Sequence, residues 1–132
     1  MSSRRSEGFT LLEIMMAVAL VAVLASIAIP SYQQYGRKAK RAEAIASLLN
    51  MQLQQEKWRA NNNSYNATAS QIGAPGSAYY SFSVTNAGAS SYTLNAAAIA
   101  GTSQVKDKQS GTSCSTLSID QSGTRTPAVC WR

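Results

Sequence analysis

The sequence predicts an α+β protein: one long N-terminal α-helix with a three- to four-stranded antiparallel β-sheet packed on its C-terminal half. Three observations carry this. An apolar run from Ile14 to Ile29 is broken only by Ser26. Good helix formers continue from Arg37 to about Asn61. From Tyr80 onward apolar and polar residues alternate, the period of half-buried strands. The 132 residues carry a net charge of +6, a size for one small domain plus an appendage. Charged residues make up only 14%, against roughly 25% in an average soluble domain. Large aliphatic side chains are scarce outside the apolar run, a pattern that does not fit a cytosolic enzyme with its own large core.

The inventory of reactive groups agrees. The chain has no His, which removes His-based acid–base catalysis and most zinc sites. Two Cys are too few for a structural zinc site, and no Gly-rich phosphate loop is present. The six carboxylates are scattered in sequence, with no close pair of the glycosidase kind. We therefore expect no catalysis, no cofactor and no metal, and read a structural or binding protein.

The first element decides the class. Met1 to Glu7 is polar, with Arg4 and Arg5, and Gly8 follows. Phe9 to Ile29 is then interrupted only by Thr10, Glu13 and Ser26, and about 20 such residues cross a bilayer core as a helix. Three readings compete: a secretory signal cut near Ser26-Ile27-Ala28, a permanent signal anchor, and a membrane helix that loses a short leader before it. Glu13 discriminates among them. A charge in an apolar helix costs on the order of 2.5–3.5 kcal/mol at mid-membrane, and a disposable signal gains nothing from it. Cleavage after Gly8 would leave a free amine on Phe9, a cation able to neutralise Glu13 of a neighbouring copy. An inert Glu13 that reaches to the interface is the competing reading.

The stretch Gly8-Phe9-Thr10-Leu11-Leu12-Glu13-Ile14-Met15-Met16, the apolar run and Pro30-Ser31-Tyr32 resemble the class III signal of type IV pilins. The resemblance implies a type IV pilin fold and cleavage between Gly8 and Phe9 by a prepilin peptidase. It also implies N-methylation of Phe9 and a role for Glu13 in filament assembly. Residues 1–8 would be the leader, 9–30 the transmembrane and assembly helix, 31–62 its amphipathic extension, and 63–132 the sheet with a disulfide-bounded C-terminal segment. One rule points the other way. Arg37, Lys38, Lys40 and Arg41 closely follow the apolar run, and the positive-inside bias alone would leave them in the cytoplasm. The resemblance places them outside.

Helical pattern resumes after Pro30, with Gly36 a second soft point. Ala42, Ile45, Leu48, Leu49 and Leu53 share one face, whereas Arg41, Met51 and Trp58 fall elsewhere. We expect the first group to meet the sheet. A helix of about 50 residues runs about 75 Å, longer than one small domain can cover, so its remainder needs a partner such as identical copies. Asn61 to Ser64 ends it, and a loop with Gly73, Pro75 and Gly76 runs to about Ala78. Tyr80, Phe82 and Val84 alternate with Ser, as Tyr92, Leu94 and Ala96 do with Thr93 and Asn95, around a connection at Asn86 to Ser90. A polar loop from Gly101 to Ser113 precedes a strand at Leu117 and Ile119, and Asp120 to Gly123 turns the chain into a last strand from Thr124 to Trp131.

So small a body needs a staple. Cys114 and Cys130 are expected to form a disulfide in an oxidising exterior, and such a bridge contributes about 3 kcal/mol in the chain-entropy treatment. The tail from Cys114 to Trp131 also resembles minor pilins that help initiate pilus assembly, most like the PilE-like type. Lys106, Lys108, Arg125 and Arg132 are candidate contacts to DNA phosphates, the weaker alternative to an ordinary solvated face. The Arg37–Arg41 cluster is a solvated or intersubunit face, or meets lipid headgroups before assembly.

The resemblance implies a type IV pilus subunit, a minor pilin serving adhesion, twitching motility or DNA uptake. Its partners would be other pilin subunits, prepilin peptidase, the inner-membrane assembly platform and the membrane itself, with DNA a further candidate. It would be held in the inner membrane as a prepilin and then join an extracellular pilus. A major pilin, a membrane-tethered DNA receptor and a type II secretion pseudopilin are the alternative readings.

Overall fold

The computed structural model describes residues 8–132, so the expected leader, residues 1–8, lies outside the described residues except for Gly8. The chain divides between Tyr35 and Gly36 into two units. One helix, α1, runs Leu11–Arg59 with Pro30 inside it.

In the first unit Thr10 caps α1. Its carbonyl accepts from the Glu13 and Ile14 N–H groups at 3.1 and 3.2 Å, and its Oγ1 accepts from Glu13 N–H at 3.2 Å. The cap occupies donors that a helix start leaves unpaired. The large apolar side chains from Phe9 to Ile29 are all exposed. Ser26 Oγ donates to Val23 O at 2.7 Å, so the one polar side chain of the run is satisfied within the helix.

The second unit holds the core. At its far end α1 carries Lys57 and Arg59 in the last turn, favourable at the negative pole of the helix. Asn62 Nδ2 donates to Trp58 O at 2.8 Å, which satisfies one terminal carbonyl. The face of α1 that is buried is Arg41, Ala44, Leu48, Met51 and Gln55, a clean three-and-four spacing. It is not the face expected from the sequence. Leu48 is shared and Ile45 packs partly buried against the core, while Ala42 is exposed and Leu49 and Leu53 are 39% and 54% exposed. Polar residues hold the buried positions because each has a partner. Gln55 Nε2 donates to Asn66 O at 2.7 Å and Gln55 Oε1 accepts from Asn66 N–H at 2.9 Å.

The loop after α1 contains a 3-10 turn, Ala69–Ile72, closed by Gly73 at φ 78°, a backbone angle that favours glycine. Strands β1 (Tyr80–Thr85) and β2 (Thr93–Ala98) form a hairpin. After a 3-10 turn at Ser103–Lys106 come β3 (Lys108–Gln109) and β4 (Thr112–Ser113), then β5 (Thr116–Asp120), β6 (Arg125–Thr126) and a final 3-10 turn, Ala128–Trp131. The main sheet is antiparallel in the order β1-β2-β5-β6. Its register sets Leu94 against Ile119 and Ala96 against Leu117. Those four residues are buried with Tyr80, Tyr92, Ile72, Leu48 and Met51. Tyr65 meets Tyr92 edge-on at 4.5 Å between ring centres.

Two other expectations change. The stretch from Gly101 to Ser113 is more ordered than a polar loop. It holds the β3–β4 hairpin, whose two-residue turn has positive φ at both Ser110 (49°) and Gly111 (81°), as a type I′ turn requires. The last strand is shorter than Thr124 to Trp131, with only Arg125–Thr126 paired. Pro127 has no N–H to give the ladder, and the chain enters the final 3-10 turn instead.

Candidate functional site

Two regions carry the sequence-derived candidates. In the first, Gly8 is exposed with nothing within 4 Å of where a Cβ would stand. Phe9 is exposed, and Glu13 is the acid of the first helical turn, where a carboxylate suits the helix dipole. The helix that these residues open is long and apolar enough to cross a membrane, by length and composition. The arrangement leaves an apolar rod and one carboxylate uncovered, a surface suited to lipid or to other helices.

The second region is built around the disulfide. Cys114 and Cys130 are bonded, with Cα atoms 5.6 Å apart, and both side chains are fully buried. The bridge ties the segment after β4 to the final 3-10 turn, and that turn also contacts β3 and β6. The four candidate cations therefore come from adjoining elements. Lys106 ends the 3-10 turn before β3, Lys108 opens β3, Arg125 opens β6 and Arg132 follows the final turn; all four are exposed. The Arg125 guanidinium lies 5.3 Å from the Trp131 ring centre, a cation–π contact.

Carboxylates near these cations are already engaged. Arg41 donates to Asp107 at 2.9 Å, both side chains being 2% exposed, and its other terminal nitrogen donates to Gln109 Oε1 at 2.9 Å. Burial pushes the Asp107 carboxyl up, and Arg41 pulls it back. Asp120 Oδ1 accepts from the Ser122 and Thr124 N–H groups, both at 2.9 Å, and from Ser122 Oγ at 2.6 Å. The bond from the Ser122 hydroxyl, ahead of the others, holds its carboxyl low. Beside the Arg41 pair, Gln104 Nε2 donates to Arg37 O at 3.2 Å and to Tyr80 Oη at 2.8 Å. Nothing local in the sequence marks Arg41, Gln104, Asp107 and Gln109 as one network, since their partners are brought together only by the fold.

Residues 30–118 match a family model described as "Type IV minor pilin ComP, DNA uptake sequence receptor". The chain belongs to this family. Residues 3–29 match the prokaryotic N-terminal methylation motif, the same stretch that resembles a pilin signal. This pilin is 38% identical over 74 residues to a fimbrial protein of Neisseria meningitidis, covering 50% of this chain and 44% of that one. It is 34% identical over 71 residues to a type II secretion system core protein G of Dickeya chrysanthemi, covering 54% and 46%. The chain thus spans less than half the length of these curated relatives. The solved structure of a type IV pilin from Shewanella oneidensis superposes with a TM-score of 0.56 at 30% identity, covering 73% of this chain and 98% of that one. The fold is the α+β pilin fold, and the chain is a type IV pilin-like subunit.

Proposed function

We propose that this pilin is a minor subunit of a type IV pilus that captures DNA at the filament surface. The match over residues 30–118 to a minor-pilin family described as a DNA uptake sequence receptor carries the reading. The geometry supports it: four exposed cations come from elements that adjoin through one disulfide, and Asp107 among them is buried against Arg41. In this reading a peptidase cuts between Gly8 and Phe9, Phe9 is methylated, and Glu13 pairs with the Phe9 amine of a neighbouring subunit as the apolar helices pack. The membrane holds the chain before assembly, and the inner-membrane platform extracts it.

Lys106, Lys108, Arg125 and Arg132 would neutralise phosphates, so binding falls steeply with salt, with a log–log slope near −0.9 per phosphate contacted. The test is a mobility shift of the full-length, detergent-solubilised chain on duplex DNA across a salt series. Changing all four residues to Gln should weaken binding and flatten the slope by up to about 3.6. No shift at low ionic strength removes the receptor reading.

A structural or priming subunit is the second reading, favoured by the fimbrial and secretion-system relatives. Quantitative mass spectrometry of sheared surface fibres separates a major structural subunit from a minor one. A dominant species beginning at methylated Phe9 makes this the major pilin, and a trace species with that terminus makes it a minor one.

A further inference from the structure

Past the apolar run the residue order is aromatic, then basic. Tyr32 and Tyr35 are 80% and 74% exposed, and Arg37 and Lys38 come directly after. Tyr side chains settle at headgroup level and cations reach anionic lipid just beyond, so this order matches a bilayer boundary. On the exported side, the positive-inside bias gives no reason for cations here.

The fold adds two more cations to the same place. Gln104, Asp107 and Gln109 point at α1 and bond to Arg37 O and the Arg41 guanidinium at 3.2, 2.9 and 2.9 Å. The residues between them, Val105, Lys106 and Lys108, stay exposed. Lys106 and Lys108 thus lie on a segment stitched beside Arg37, which is half-buried, and Lys38, which is exposed. Asp107, the one carboxylate of that segment, is sequestered by Arg41. Eight residue steps lead from Ile29 to Arg37. Their full extension reaches at most about 29 Å, and about 12 Å as helix. While the apolar segment occupies a bilayer, headgroups are held within reach of this face at high effective concentration. Duplex DNA offers the same phosphate chemistry without that tether.

We propose that, before the chain leaves the membrane, Arg37, Lys38, Lys106 and Lys108 lie on the anionic phospholipid headgroups of the leaflet from which the apolar helix emerges. This goes beyond the DNA reading and depends only on the helix residing in a bilayer in the exported orientation.

The test uses the full chain with Val105→Cys carrying a donor fluorophore, the native cysteines being disulfide-bonded. It is reconstituted into phosphatidylcholine vesicles with and without phosphatidylglycerol, and energy transfer to a headgroup-linked acceptor is read. Transfer should rise with phosphatidylglycerol and fall again at high salt. Each of Lys106→Gln and Lys108→Gln should shift the ratio of docked to lifted protein about fivefold toward lifted. Lys57→Gln, in the last turn of α1, removes the same charge and should leave transfer unchanged. Equal transfer in both vesicle types, an equal effect of all three substitutions, or a response to added duplex DNA but not to phosphatidylglycerol would overturn the proposal. A chain that docks on lipid yet fails to shift DNA loses only the receptor reading.

Discussion

Arg41 of α1 and Asp107, 66 positions later in sequence, form a buried ion pair at 2.9 Å that fastens the segment before β3 to the helix. The guanidinium is shared with Gln109 Oε1, so its burial is offset by two acceptors. Removing one partner leaves a buried charge uncompensated, which costs about 3–5 kcal/mol, whereas replacing both by apolar residues is often neutral or stabilising. Asp107→Ala is therefore expected to lose stability on that scale, and Arg41→Met with Asp107→Leu to recover most of it. Urea unfolding of the full chain in detergent measures both. An Asp107→Ala protein as stable as the parent contradicts the pair's structural role.

Tyr92 gives a pH prediction. Its ring is fully buried, its hydroxyl donates to Glu56 Oε1 at 3.3 Å, and burial, then the Glu56 charge, pushes its pKa up from 10.0 to about 12. The folded state keeps this proton after the unfolded chain has released it. Stability from this group is therefore fully present below pH 10 and lost as pH rises toward 12. Thermal unfolding across that range should fall less steeply for Tyr92→Phe than for the parent; parallel profiles exclude Tyr92 as the source.

The disulfide is expected to matter through loop closure. Changing Cys114 and Cys130 together to Ser should destabilise the second unit by about 3 kcal/mol. The readout is the unfolding midpoint under non-reducing conditions. The β3–β4 hairpin and the final 3-10 turn, which the bridge joins, should lose hydrogen-exchange protection first.

Glu13 supplies the assembly prediction. Glu13→Ala should leave cleavage after Gly8 intact and reduce incorporation into fibres, because the acid's cost in an apolar helix is recovered only against a neighbour's amine. Gly8→Val should impair cleavage more than Gly8→Ala. Intact-mass analysis of cell-associated and sheared protein reads both steps, and normal incorporation of Glu13→Ala defeats the pairing argument.

Legibility follows the range of the forces involved. The N-terminal segment is readable because Gly8, Phe9, Glu13 and the apolar run lie at fixed short spacings, and the same stretch matches the methylation motif. Strands β1, β2 and β5 are readable because alternation is local, and Tyr80–Thr85, Thr93–Ala98 and Thr116–Asp120 fall where it appears. The buried face of α1 is not. Arg41 and Gln55 look like solvent residues until Asp107 and Asn66 arrive from 66 and 11 positions away. Leu49 and Leu53 look like core, yet stay partly exposed. The site cations are individually visible, but the packing of the final 3-10 turn against β3 and β6 is a long-range arrangement that no local pattern encodes.

The spread of contacts along α1 has a mechanical consequence. From Arg41 to Gln55 the buried positions succeed one another every three or four residues, over about 21 Å of helix. Tension applied along the helix axis loads them side by side, in shear, with no free end from which they could be peeled one after another. Rupture then requires the ion pair, Leu48, Met51 and the Gln55–Asn66 bonds to yield nearly together. A subunit so built resists pulling along its own axis far better than pulling across it.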